Sequence, residues 1–372
     1  LSQALNATSK KNVILFYNMT DITTLYQQAV TLLQQLIATP SFSREEDRTA
    51  DLLENFLKTN GITPNRKVNN LWAYNKHFDG AKPTILLNSH HDTVKPNTGY
   101  TRDPYDAVTE DGKLYGLGSN DAGGCLVSLI AVFLYFYDRT NLKYNFCLAT
   151  TAEEEISGVN GLELIIPDLG PLDFGIVGEP TLMQLAIAEK GLMVLDCVAH
   201  GKAGHAAREE GDNAIYKAMQ DIEWFRTFKF PKESEVFGPV KMSVTVINAG
   251  SQHNVVPASC NFVVDVRVTD AYRNEEVLEI IRQHVSCDVT PRSVRLKPSS
   301  IDKEHPIVQA GLSLGRTTYG SPTTSDQSLL DIQSIKVGPG DSARSHSADE
   351  FIYVDEIREG IELYVQMLEH IV

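Results

Sequence analysis

The chain has 372 residues, of which 42% are apolar and 22% charged, and its 48 acidic residues against 33 basic ones give a formal charge of -15. That length predicts a large domain accompanied by a smaller one, and no apolar run approaches the ~18 residues of a membrane span. The negative charge repels nucleic acid and anionic membranes at long range, so neither is expected as a partner, and most of the acidity reads as a solvated surface.

At the start of the chain, residues 12–18 supply only a short apolar stretch with no small-residue cleavage site behind it. This is not a signal-peptide pattern, and a cytoplasmic location is expected. Residue 1 is Leu and Met19 directly precedes a helix start, so residues 1–18 read as an N-terminal extension. Asp21 can cap a helix whose apolar positions Ile22, Leu25, Ala29, Leu32, Leu33 and Leu36 keep helical spacing up to the break at Pro40. Ser43 with Glu46 forms a capping box for a second helix, which Gly61 ends.

Short apolar runs follow at 84–89, 145–150, 174–177 and 335–338, separated by helical stretches such as 122–138. Without polar alternation they read as buried strands of a mainly parallel sheet. Between about 186 and 290 the order becomes strand 192–199, helix 213–228, strand 242–248, strand 262–269, helix 274–285 and a strand at 294–297. A βαββαβ order is that of a ferredoxin-like unit. The expected class is therefore α/β: a mainly parallel-sheet catalytic domain of residues 19–186 and 291–372, interrupted by a smaller inserted domain of residues 187–290. The cysteines Cys125, Cys147, Cys197, Cys260 and Cys287 are odd in number and form no CxxC pair, which points to buried free thiols.

His90, His91 and Asp92 stand where the run 84–89 ends, and an open α/β sheet places its ligands at the carboxyl ends of strands. Asp121 follows the glycine-rich turn Gly116–Gly118, where a dinucleotide fingerprint would need a third glycine. Glu153, Glu154 and Glu155 end another apolar run, and adjacent carboxylates repel unless a cation or proton relieves them. Glu179 and His346 lie beyond two further runs. Each motif alone has a bland reading as a strand cap, a turn or a solvated acidic patch. Together they form the mixed nitrogen and oxygen set that suits zinc and tolerates cobalt or manganese.

In this order the motifs resemble the zinc-dependent family of acetylornithine deacetylase, succinyl-diaminopimelate desuccinylase, aminoacylase and carboxypeptidase G, over nearly the whole chain from Asp21. The resemblance implies two divalent ions, zinc with cobalt or manganese as alternatives. His90 and Glu179 would hold one ion, Glu155 and His346 the other, and Asp121 would bridge them, with Asp92 orienting His90. Glu154 would be the general base acting on the attacking water. The family usually writes Asp-Glu-Glu where this chain has Glu153, Glu154 and Glu155. The register is set from Ile156, Ser157 and Gly158, and a slip of one would make Glu153 the base and Glu154 the ligand.

Residues 201–207 resemble the family motif whose histidine, here His205, reaches into a second subunit's site to stabilise the oxyanion, which implies a homodimer through the inserted lid. Asn254 and Arg267 match lid positions that contact substrate, while structural roles, an amide in a turn and an outward strand arginine, stay equally open. The implied reaction removes an acetyl or succinyl group from a small N-acyl amino acid such as an ornithine or citrulline derivative. Glu179 supports this, since in the resembled family Glu there accompanies deacylases and carboxypeptidases. Succinyl-diaminopimelate desuccinylation and dipeptidase or carboxypeptidase action are alternatives of the same class. A non-catalytic metal- or ligand-binding relative is the alternative of another class, with a nicotinamide-dependent oxidoreductase behind it, resting only on the glycine turn.

Overall fold

The computed structural model describes residues 21–372, and the extension expected at 1–18 lies outside the described residues. Asp21 caps the helix Ile22–Ile37 by accepting the Thr23 N–H, and Leu25, Ala29, Leu32, Leu33 and Leu36 bury one stripe of it. The next helix, Asp47–Thr59, ends before Gly61, which takes a left-handed φ of 78°. Its expected capping box is absent. Ser43 Oγ donates instead to Asp92 Oδ2 at 2.7 Å, while Glu46 accepts the N–H groups of Arg44 at 2.6 Å and Glu153 at 3.2 Å. A charged acceptor brought in by the tertiary fold holds a hydroxyl more strongly than a local neutral partner does.

The large sheet has nine strands. Its order is Asn65–Lys67, Asn70–Tyr74, Asn145–Thr151, Thr84–His90, Phe174–Val177, Gln333–Lys336, Leu185–Glu189 and Ser299–Ser300, with Thr318–Ser321 also paired to Leu185–Glu189. From Asn145–Thr151 to Gln333–Lys336 the neighbours are parallel, whereas the flanks add antiparallel pairs. Side chains of Thr84–His90 feed two cores in alternation. Ile85 and Leu87 pack with residues of the helices Ile22–Ile37, Gly124–Tyr137 and Val354–Glu369, and Leu86 joins Trp72, Cys147, Leu162 and Val177 on the other face. Burial on both faces explains why these strands read as unbroken apolar runs. Ser119–Tyr137 is the one helix among the described residues long and apolar enough to cross a membrane, and 83% of its most apolar window is buried in this fold.

The chain leaves the large sheet after Glu189. Strand Gly191–His200, helix Ala214–Thr227, strands Lys241–Ala249 and Ser259–Val268, helix Asn274–His284 and strand Asp288–Pro291 then follow in βαββαβ order. The strands form a separate antiparallel sheet in the order Lys241–Ala249, Ser259–Val268, Gly191–His200, Asp288–Pro291. Met193, Leu195, Phe225, Phe262, Val264 and Ile281 give it a core of its own. The last strand lies at 288–291, not at 294–297 as the sequence predicts. The later segment is held differently: Asn274 Nδ2 donates to the carbonyls of Val294 at 3.0 Å and Leu296 at 2.8 Å, and the Leu192 N–H adds a single main-chain bond to Leu296 at 3.0 Å as the chain returns to the large sheet.

Candidate metal centre

The parallel strands of the large sheet end on one edge, and that edge gathers the polar residues. His90 closes Thr84–His90, Glu154 and Glu155 follow Asn145–Thr151, Glu179 follows Phe174–Val177, and His346 lies beyond Gln333–Lys336. Asp121 enters from the turn before helix Gly124–Tyr137, where Gly118 has a φ of 75° that favours glycine and the peptide from Asp121 to Ala122 is cis.

His90 Nδ1 pairs with the main-chain oxygen of Asp92 at 3.0 Å, which leaves Nε2 bare. That nitrogen is buried without a hydrogen-bond partner. It lies 3.4 Å from Asp121 Oδ1, 3.7 Å from Glu179 Oε1 and 3.8 Å from Glu154 Oε2. On the other side, His346 Nε2 is 2.9 Å from Glu155 Oε2 and 3.6 Å from Asp121 Oδ2. The two oxygens of Asp121 therefore face different imidazoles. Donor atoms of His90, Asp121 and Glu155, and likewise of His90, Glu154 and Glu179, lie within 4.8 Å of one another.

Asp92 faces the imidazole of His90 and also holds the turn that carries Glu154 and Glu155. Its carboxylate is 3.4 Å from His90 Nδ1, and it accepts the N–H groups of Glu154 at 3.0 Å and Glu155 at 3.2 Å together with the Ser43 hydroxyl. Glu153 faces away from the cluster. It takes a left-handed φ of 57°, and its carboxylate accepts from Asn160 Nδ2 at 2.9 Å, in space that a Cβ on Gly158 would invade at 2.0 Å. His91 is a satisfied core histidine, with Nδ1 on Thr49 Oγ1 and Nε2 on the Asn69 carbonyl, both at 2.9 Å, and burial pushes it down to about 4.

Burial dominates the electrostatics. It raises Glu179 to about 8 against the pull of His90, with the charge of Asp121 adding to the rise. Burial also raises Glu154 well above the usual carboxylate range, with Glu179 and Asp326 contributing. His90 rises despite its burial because Glu154, Asp121 and Asp92 favour its cation, and the hydrogen bond that His346 donates to Glu155 lifts His346 to about 9. Crowded carboxylates facing a bare imidazole nitrogen are the environment that divalent cations relieve, so the residues fit a metal centre.

His205, Asn254 and Arg267 stand apart. His205 is exposed on a short ladder with Val255–Val256, and its Nδ1 accepts the Ala207 N–H at 3.1 Å. Asn254 is exposed, with its carbonyl accepting from Ala206 at 3.0 Å, and Arg267 forks onto Asp265 at 2.8 and 3.1 Å. Among the described residues none of the three has a hydrogen bond or ion pair to the cluster.

Sequence reasoning misses Glu350. It is buried and accepts the N–H groups of Asn120 at 2.8 Å, Asp121 at 2.9 Å and Gly118 at 3.2 Å, so it holds the turn that carries Asp121. Its one local signal is an acidic residue directly before the apolar segment Phe351–Tyr353. A cavity of about 300 Å³ opens onto Asp121, Glu154, Glu155, Glu179 and His346, with Thr323, Thr324 and Lys336 also lining it.

The sequence matches the profile of peptidase family M20/M25/M40 over residues 86–370. Among curated proteins it is similar to acetylornithine deacetylase of Proteus mirabilis (strain HI4320), 26% identical over 92% of this chain and 96% of that protein. It is also similar to succinyl-diaminopimelate desuccinylase of Acidiphilium cryptum (strain JF-5), 25% identical over 92% of this chain and 98% of that protein. The fold is similar to aminopeptidase PepT of Bacillus cereus ATCC 10987, with a TM-score of 0.73 and 18% identity over 93% of this chain and 98% of that one. It is likewise similar to Bacillus subtilis YXEP, a dinuclear metal binding peptidase, with a TM-score of 0.71 and 15% identity over 93% and 98%. With the profile spanning most of the sequence and the acidic cluster in place at the sheet edge, the chain belongs to peptidase family M20/M25/M40.

Proposed function

We propose that the chain is a dinuclear metal-dependent amidohydrolase, with zinc as the metal, that removes an acetyl or succinyl group from a small N-acyl amino acid of the ornithine or citrulline type. The observation that carries the two-metal part is the split of Asp121, with Oδ1 towards His90 and Oδ2 towards His346. His90 and Glu179 would hold one ion, Glu155 and His346 the other, and Asp121 would serve both. Bound ions would supply the charge that polarises the scissile carbonyl and acidifies water.

The chain's own residues do the rest. Glu154, whose proton affinity is raised by burial and by Glu179, takes the proton from attacking water and returns it to the leaving nitrogen. Asp92 fixes the backbone of Glu154 and Glu155 through their N–H groups. The acyl amino-acid substrate is supported by the deacetylase and desuccinylase relatives, which align along 92% of the chain.

The inserted unit, residues 187–290 as read from the sequence, would act as lid and dimerisation domain. Its edge strand Lys241–Ala249 exposes Val246 and Ile247, and helix Ala214–Thr227 exposes Tyr216 and Met219. A second copy on this surface would let His205 serve the opposite site, with Asn254 and Arg267 contacting substrate. The buried free cysteines are compatible with the reducing cytoplasm.

The test is hydrolysis of a panel of acetyl, succinyl and glycyl amino acids, with and without chelator. Acetyl or succinyl amino acids are expected to be cleaved, with activity lost to chelator and regained with Zn2+. Release of amino acid from di- or tripeptides alone would overturn the deacylase assignment in favour of a dipeptidase.

A further inference from the structure

Lys336 ends the strand Gln333–Lys336, paired with Val177 on one side and Ala186 on the other. It is 3% exposed and its partner Glu189 is 0% exposed, with Nζ 2.7 Å from Glu189 Oε2. The ammonium also donates to the carbonyl of Thr323 at 3.0 Å and to its Oγ1 at 3.2 Å, so its charge and its hydrogen bonds are engaged within the protein. Lys336 is therefore not a free cation for substrate, although it lines the same cavity as Glu154 and Glu179.

Glu189 extends the network into the next loop by accepting the N–H of Ser325 at 2.8 Å and its hydroxyl at 2.7 Å. Asp326, next in the chain, accepts the Thr151 hydroxyl at 2.7 Å, which ties the loop to the strand that leads into Glu154. Glu189 is also the last residue of the large sheet before the chain enters the inserted unit. The returning segment passes close by, since a Cβ on Gly191 would lie 2.6 Å from Pro298 N.

A buried ion pair loses in desolvation about what it regains in attraction, so stability is a poor account of why one sits here. Its bonds all converge on one wall of the cavity. Within that wall the Thr324 hydroxyl is buried without a protein partner.

We propose that Lys336 and Glu189 are positioning residues that hold the wall formed by Thr323 to Asp326 at the distance a bound acyl amino acid requires, and so set substrate affinity. The substrate half of this statement rests on the function proposed above. Their place at the root of the inserted unit ties the same wall to the lid's first strand.

The experiment compares the parent chain with Lys336→Met, Glu189→Met and the double variant. The readouts are hydrogen exchange of the loop amides, thermal denaturation, metal content, and KM and kcat on the best substrate of the panel. Each single variant strands one buried polar partner and is expected to melt earlier with faster loop exchange. The double variant is expected to melt near the parent and keep its metals, while the loop amides still exchange faster and KM rises about tenfold with kcat within about twofold. Parent-like loop exchange in the double variant, or a parent-like KM alongside faster exchange, would overturn the proposal. If no acyl amino acid is cleaved by the parent, the functional reading fails, while loop exchange still decides whether the pair holds the wall.

Discussion

The two larger sheets of this protein treat their polar residues in opposite ways. Every residue of Thr84–His90 is buried, whereas no residue of Lys241–Ala249 is. At the end of the first strand the groups are largely buried, so His90, Glu154 and Glu179 perturb one another strongly and must be satisfied by each other or by cations. Beside the second sheet, on the short ladder of Gly204–His205 with Val255–Val256 and the turn before it, His205 and Asn254 face solvent. Burial on both faces couples the polar groups at a sheet edge to one another, and leaving one face uncovered leaves its side chains to solvent.

The largest expected effect tests the reactive side of that contrast. Glu154→Ala should lower turnover about a hundred- to ten-thousand-fold while both metals stay bound. Steady-state kinetics with elemental analysis measures this, and undiminished turnover would remove Glu154 from the chemistry.

Next comes the support beneath the cluster. Glu350→Gln weakens the acceptor for the Gly118, Asn120 and Asp121 N–H groups, and metal affinity should fall about 10- to 100-fold. Titration with Zn2+ against a competing chelator reports it, and circular dichroism should show the fold retained. Parent-like affinity would mean that the turn holds Asp121 without help.

On the exposed side, Ile247→Asp places a charge on an apolar patch of the edge strand and should shift the protein towards monomer, read by sedimentation velocity, with metal content unchanged. An unaltered sedimentation profile would sink the assembly role given to that sheet.

The smallest effect concerns pH. His91 is neutral in the fold, held down to about 4 by burial, against an ordinary value of 6.5. Below 6.5 the unfolded chain binds a proton that the folded one refuses, so stability is full above 6.5 and declines as pH falls towards 4. His91→Asn should melt earlier at neutral pH yet lose less on acidification, narrowing the gap to the parent by on the order of 2 kcal/mol. A gap that does not change between pH 7 and 4 would show that His91 is not the group refusing the proton.

Much of this was legible without coordinates because it depends on local pattern. Unbroken apolar runs mark strands covered on both faces, helical spacing marks Ile22–Ile37, and the shift to βαββαβ order marks the separate inserted sheet. Strand ends point to His90, Glu154, Glu155 and Glu179 because side chains just past a parallel strand must emerge at one sheet edge.

Other features depended on partners distant in the chain. Ser43 left its capping box for Asp92, Asn274 took the carbonyls of Val294 and Leu296, Glu350 found the Asp121 turn, and Lys336 found Glu189. A hydrogen-bond donor takes the strongest acceptor within reach, and packing alone decides which groups come within reach. The sequence by itself thus determined the class of fold and which residues meet at its edge, and tertiary structure decided how each of those residues is held.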